Sequence, residues 1–208
     1  MLEHYYEIAK TNWKHNLLSH CIIAVLLCIL APLIMGVKNL EEPQVAKIID
    51  FYLVFLGVIL LIPLFLPDTN KDIRDLTASK KISITTVRII RLLEAVLCLS
   101  ILLLLFLSAL KMGNCEFHYG RCFYAAAADC VFMGGIGLLF YSVIDNIALA
   151  YMIPFLYYII SMGGGKKYLG KFWLMSFSAG RVEDKKYLLA AGVFMIAAAL
   201  VIRWKRRA

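Results

Sequence analysis

The sequence predicts an all-α, polytopic membrane protein with six transmembrane helices and a further helix ahead of the first. Three observations carry this. The chain has 208 residues, of which 62% are hydrophobic and only 17% charged, too much apolar surface for a soluble domain of this size. The apolar residues gather into runs separated by short polar stretches, and several runs are long enough to cross hydrocarbon as helices. Lysine and arginine sit at the ends of those runs and are not interleaved along one amphipathic face, so the formal charge of +8 suits anionic lipid headgroups better than nucleic acid.

Residues 1–16 place Tyr5, Ala9, Trp13 and Leu17 four apart, with Glu7, Lys10, Thr11 and Lys14 largely off that line. This is the pattern of a helix lying in the membrane interface; a plain extension of the first span fits nearly as well. Residues 17–35 carry no formal charge and form the first span. A cleavable signal peptide competes for this stretch, but the polar region ahead of it is long and no small-x-small cleavage site follows. Residues 36–50 read as a mixed-charge loop and 51–66 as the second span, short unless 45–50 extend its helix into the headgroups. Pro63 and Pro67 favour a stop at its end.

Residues 67–91 are the one long polar stretch between strongly apolar flanks in the first half. Asp68, Asp72 and Asp75 come early and Lys80 and Lys81 late, with Lys71 four residues before Asp75, an order that complements a helix dipole. Ile73 and Leu76 add a narrow apolar edge, so the helix suits a membrane surface, another protein's groove, or solvent alone. The third span is 87–110, with Arg88 and Arg91 in its first turns reaching back to the interface and Glu94 placed to pair with Arg91.

Cys115 and Cys122 bracket the next polar loop and could pair if it faces an oxidising exterior. With His118 alone beside them they make a poor metal site. The fourth span, 122–141, contains Gly134, Gly135 and Gly137, which let a neighbouring helix approach closely. Ser142, Asp145 and Asn146 mark a tight turn before the fifth span, 147–161, where Pro154 predicts a kink. Residues 162–186 form a polar region around an apolar island, 172–179, too short to cross but able to dip into or re-enter the membrane. Phe155, Tyr157, Tyr158, Phe172 and Trp173 read as an interfacial belt. The sixth span is 187–202, closed by Arg203, Lys205, Arg206 and Arg207.

Basic residues in the short loops orient the chain with both termini cytoplasmic, on the same side as Lys10, Lys14, Lys71, Arg74, Lys80 and Lys81. The bases within 163–186 weigh against this, but five crossings would strand the C-terminal cluster outside. Chemistry is sparse. The run from Gly165 to Lys171 has phosphate-loop spacing, but Phe172 stands where the magnesium-binding hydroxyl belongs and no strand precedes it. No catalytic constellation or metal site is predicted. Charge within an apolar run is costly, which makes Asp129 the acid to test for substrate or proton handling, with Glu94 a weaker candidate.

The run PDTNKDIRDL, with Pro67, Asp68, Ile73, Arg74, Asp75 and Leu76 at the informative positions, precedes Lys80, Lys81 and the arginine-led third span. Together with the final third of the chain it resembles the small six-span permeases of the ABC-2 class of ABC transporters. The resemblance implies a bacterial plasma-membrane permease, an exporter in that class, with no nucleotide or catalytic site of its own. By the same likeness residues 1–16 would be the connecting helix and 67–86 a cytoplasmic coupling loop. Asp68, Lys71, Asp72, Ile73, Arg74, Asp75, Leu76, Lys80 and Lys81 would dock an ATP-binding subunit. Two such subunits, carrying ATP and Mg, would join two permeases, identical or not, and the island would be a re-entrant element on the outer side. The alternative is a non-transporting membrane interaction protein, an immunity or sensor subunit whose loop recruits a cytoplasmic partner.

Overall fold

Apolar runs of spanning length form six helices in the computed structural model, which describes residues 2–69 and 84–205. They are Tyr6–Met35, Glu42–Asp68, Ile84–Met112, Tyr119–Ile144, Ile147–Tyr168 and Val182–Lys205, each long and apolar enough to cross a membrane. Among the described residues there is no strand, only one isolated bridge between Glu41 and Glu116 that joins two loops. The chain is thus an all-helical, multi-pass membrane protein.

The N-terminal helix, Leu2–Asn12, runs through a π-helical stretch, Trp13–Leu17, straight into Leu18–Met35. Asn12 and Leu18 keep right-handed helical dihedrals, so no turn separates this helix from the first span. The second helix starts on a capping box between Glu41 and Gln44, reinforced by Pro43 in its first turn. It begins well before residue 51, and the stretch read as a loop is therefore helical from Glu42 onward. Pro63 and Pro67 lack the amide hydrogens an α-helix needs, and the helix tightens to 3-10 geometry over Ile62–Thr69.

The turn before the fifth helix is as short as expected. Asp145 adopts a left-handed conformation (φ 60°) that ends the fourth helix, and the Asn146 side chain accepts from the amides of Ala148 and Leu149 to start the next. That helix runs through Pro154 to Tyr168, and its non-helical dihedrals fall at Gly164, not at the proline.

Helix packing follows the small residues. An added Cβ at Gly192 would lie 2.7 Å from the backbone nitrogen of Phe132, and one at Gly135 would lie 2.8 Å from the Gly192 carbonyl oxygen. The fourth and sixth helices therefore touch backbone to backbone, which only glycine permits. Gly134 makes the equivalent approach to the second helix, 2.7 Å from the Gly57 carbonyl oxygen. The second and fourth helices form the centre, with 78% and 67% of their most apolar windows buried against 17% for the first and the fifth. Leu26, Ile29 and Leu33 on the first helix are exposed, as side chains facing lipid must be.

Candidate functional site: buried charges at both ends of the bundle

A charged side chain inside such a bundle must find its counter-charge within it, because neither lipid nor water is there to solvate it. At the end of the bundle away from the termini, three helices deliver one such group each. Asp50 comes from the second helix, where the backbone widens to π geometry over Ile49–Leu53. Asp129 comes from the fourth, and Lys185 opens the α-helical part of the sixth. All three are completely buried.

Lys185 Nζ donates to Asp50 Oδ1 at 2.8 Å, lies 2.7 Å from both Asp129 carboxylate oxygens, and donates to the Leu174 carbonyl at 2.5 Å. The Ser178 amide donates to Asp50 Oδ2 at 2.7 Å. The loop between the fifth and sixth helices thus closes over the triad, and the apolar island is part of it. In place of a continuous helix it folds as short 3-10 turns, with Leu174, Met175, Ser176 and Phe177 buried. Two of the aromatics read as a membrane belt hold this loop. Tyr157 donates to the Phe172 carbonyl at 2.6 Å, and the Trp173 indole donates to the Ser161 carbonyl at 2.9 Å.

The opposite end carries the second cluster. Asp68, the last residue of the second span, accepts from Arg88 Nε at 2.8 Å and Arg91 Nη1 at 3.0 Å, all three side chains being buried. Arg203 from the sixth helix donates to Asp145 and to the Tyr141 carbonyl. Between these pairs lies the Phe65 ring, with Arg88 Cζ 5.7 Å and Arg203 Cζ 5.1 Å from its centre. Arg88 and Arg91 therefore turn inward to Asp68 and do not reach back to the interface. Glu94 accepts from the Asn12 amide at 2.5 Å, with Arg91 close enough to act on it electrostatically but bonded to Asp68.

Asp50 is eighteen residues before Asp68 in the second helix, and Lys185 eighteen before Arg203 in the sixth. At roughly 1.5 Å per residue that is about 27 Å, close to a hydrocarbon thickness of about 30 Å. The two charge layers thus bound an apolar slab.

Of the candidate site residues proposed from the sequence, Asp129 and Asp68 enter these clusters and Glu94 does not. Lys71, Asp72, Ile73, Arg74, Asp75, Leu76, Lys80 and Lys81 lie outside the described residues, as do Arg206 and Arg207. Cys115 and Cys122 are free thiols: Cys115 donates to the Val37 carbonyl at 3.3 Å, and Cys122 is buried in the first turns of the fourth helix. The disulfide considered for them is not formed in the structure. Asp50 and Lys185 were hidden in stretches that read as polar loops. The signal for Lys185 is weak, one more base at the foot of an apolar run; Asp50 stands immediately before Phe51, an acid abutting the core of a span. No protein-family model, curated protein or solved structure matches the chain.

Proposed function

We propose that the chain is the permease subunit of a bacterial ABC transporter of the ABC-2 class, an exporter driven by a separate ATP-hydrolysing subunit docked on residues 68–82. One observation above all supports this reading. Asp68 stands just before the polar segment in the chain and Arg88 and Arg91 just after it, and these three residues are joined by buried, charge-assisted hydrogen bonds. A partner pressing on the segment would act on the second and third helices together. Through Phe65 and Arg203 the push would reach the sixth as well. In this reading the permease binds no cofactor, two copies or homologues pair in the plasma membrane, both termini are cytoplasmic, and ATP and Mg reside on the two partner subunits.

The test is affinity purification of the full chain from its own cells in mild detergent. An ATPase is expected to co-purify, and Ile73→Asp combined with Leu76→Asp is expected to release it while the permease stays folded. Retention of the ATPase and its stimulated turnover in the double variant would remove the docking role. Recovery of a non-ATPase cytoplasmic partner would favour the interaction-protein alternative.

A further inference from the structure

The far-end triad holds two carboxyl groups and one ammonium, all three without solvent exposure. If both acids were ionised, the cluster would bury one net negative charge in a site closed to solvent. Such a charge is far more costly than a balanced pair. The donors show which acid is less well satisfied. An ammonium has three N–H bonds. Here one goes to Asp50 Oδ1 and one to the Leu174 carbonyl, which leaves a single N–H for the two oxygens of Asp129. Asp50, by contrast, accepts at both oxygens, its Oδ2 taking the Ser178 amide.

We infer that Asp50, Asp129 and Lys185 form a site for one proton, held on Asp129 beneath the 174–178 loop, while Asp50 remains a carboxylate paired with Lys185. The proton comes from water and returns to it. No bond other than O–H is made or broken at Asp129. A metal cation in the same place would need several oxygen ligands, and the four carboxyl oxygens are already engaged with Lys185 and Ser178. Leu174 and Ser178 contact the triad from the loop itself, so the proton exchanges with the medium when the loop lifts. Between those two anchors Ser176 is fully buried with a hydroxyl that has no hydrogen-bond partner among the described residues, a polar atom left over for the hydrated state.

The other titratable groups around the site are accounted for. Tyr157 of the fifth helix faces Asp129 and gives its hydrogen to the Phe172 carbonyl. Cys130, beside Asp129, donates to the Leu53 carbonyl of the second helix. Cys28 of the first helix is the thiol nearest to Cys130 on that side. From the loop and the start of the sixth helix, Lys171 and Lys186 lie over the Tyr187 ring, while Arg181, Glu183 and Asp184 are not fully buried.

This proton site does not depend on the ATP-driven reading and is tested apart from it, by infrared spectroscopy of the full-length protein in phosphatidylcholine nanodiscs at neutral pH. A protonated carboxyl C=O stretch that shifts in D2O is expected in the wild type. Asp129→Asn should abolish it, and so should Asp50→Asn, because the one remaining carboxylate then balances Lys185. Lys185→Met should double it, and Glu94→Gln should leave it in place. A wild type without the band, with or without a response to sodium, would overturn the proposal, as would a band lost only in Glu94→Gln. If Lys185→Met does not fold, the wild type and the two asparagine variants still decide.

Discussion

At the scale of single residues, the two charged clusters differ in what they tolerate. Removing Lys185 takes the counter-charge from the buried Asp50 carboxylate, which must then take up a proton to stay buried, whereas Asp129→Asn keeps an acceptor for Lys185 and leaves it balanced by Asp50. Breaking a buried pair from one side costs about 3–5 kcal/mol, and exchanging one hydrogen-bonded group for an isostere costs about 1 kcal/mol. Lys185→Met is therefore expected to lower unfolding stability in detergent by several kcal/mol and Asp129→Asn by about one; equal losses would show that the triad's charge balance does not matter. At the other end, Asp68 is the shared acceptor of Arg88 and Arg91. Asp68→Ala should cost a comparable amount, measured the same way, because it strands two buried guanidinium groups at once.

At the scale of elements, the fourth helix is the one the others are built against. Its Gly135 meets the backbone of the sixth helix at Gly192, and Gly192 that of the fourth at Phe132, so no side chain at that contact can move aside to admit a larger residue. Gly192→Leu or Gly135→Leu is expected to lower the thermal unfolding midpoint, with a penalty of about 1–3 kcal/mol or more from overpacking. Gly163→Ala, where an added Cβ meets nothing within 4 Å, should leave the midpoint unchanged. The close approach around Gly134, Gly135 and Gly137 was legible in the sequence because small residues clustered within an apolar run have few other uses. The loop between the fifth and sixth helices was not. Its apolar island reads as membrane-seeking, yet its shape comes from Tyr157, Ser161 and the triad, partners that lie outside the island itself.

For the whole molecule, an even number of crossings brings the two termini to the same end, and puts the connection between the second and third spans on the opposite side from that between the fifth and sixth. Single cysteines introduced at Ser79 and Arg181 should react with a membrane-impermeant maleimide from opposite faces, the one at Arg181 on intact cells and the one at Ser79 only after the membrane is opened. The native cysteines are buried or half-buried and give a low background. Reaction of both from one side would remove the six-span arrangement. The buried charges then have a clear place: they mark the two boundaries of the apolar slab and leave its middle free of paired charge.

The sequence by itself determined the six apolar helices, the turn at Asp145 and Asn146 and the close helix contacts at glycine, because hydropathy, turn chemistry and side-chain size are properties of neighbouring residues. The tertiary structure alone decided which charges meet. Lys185 reaches across 135 positions of chain to Asp50 and across 56 to Asp129. A local pattern shows that a charge is costly where it stands; only folding in three dimensions determines which distant group offsets that cost.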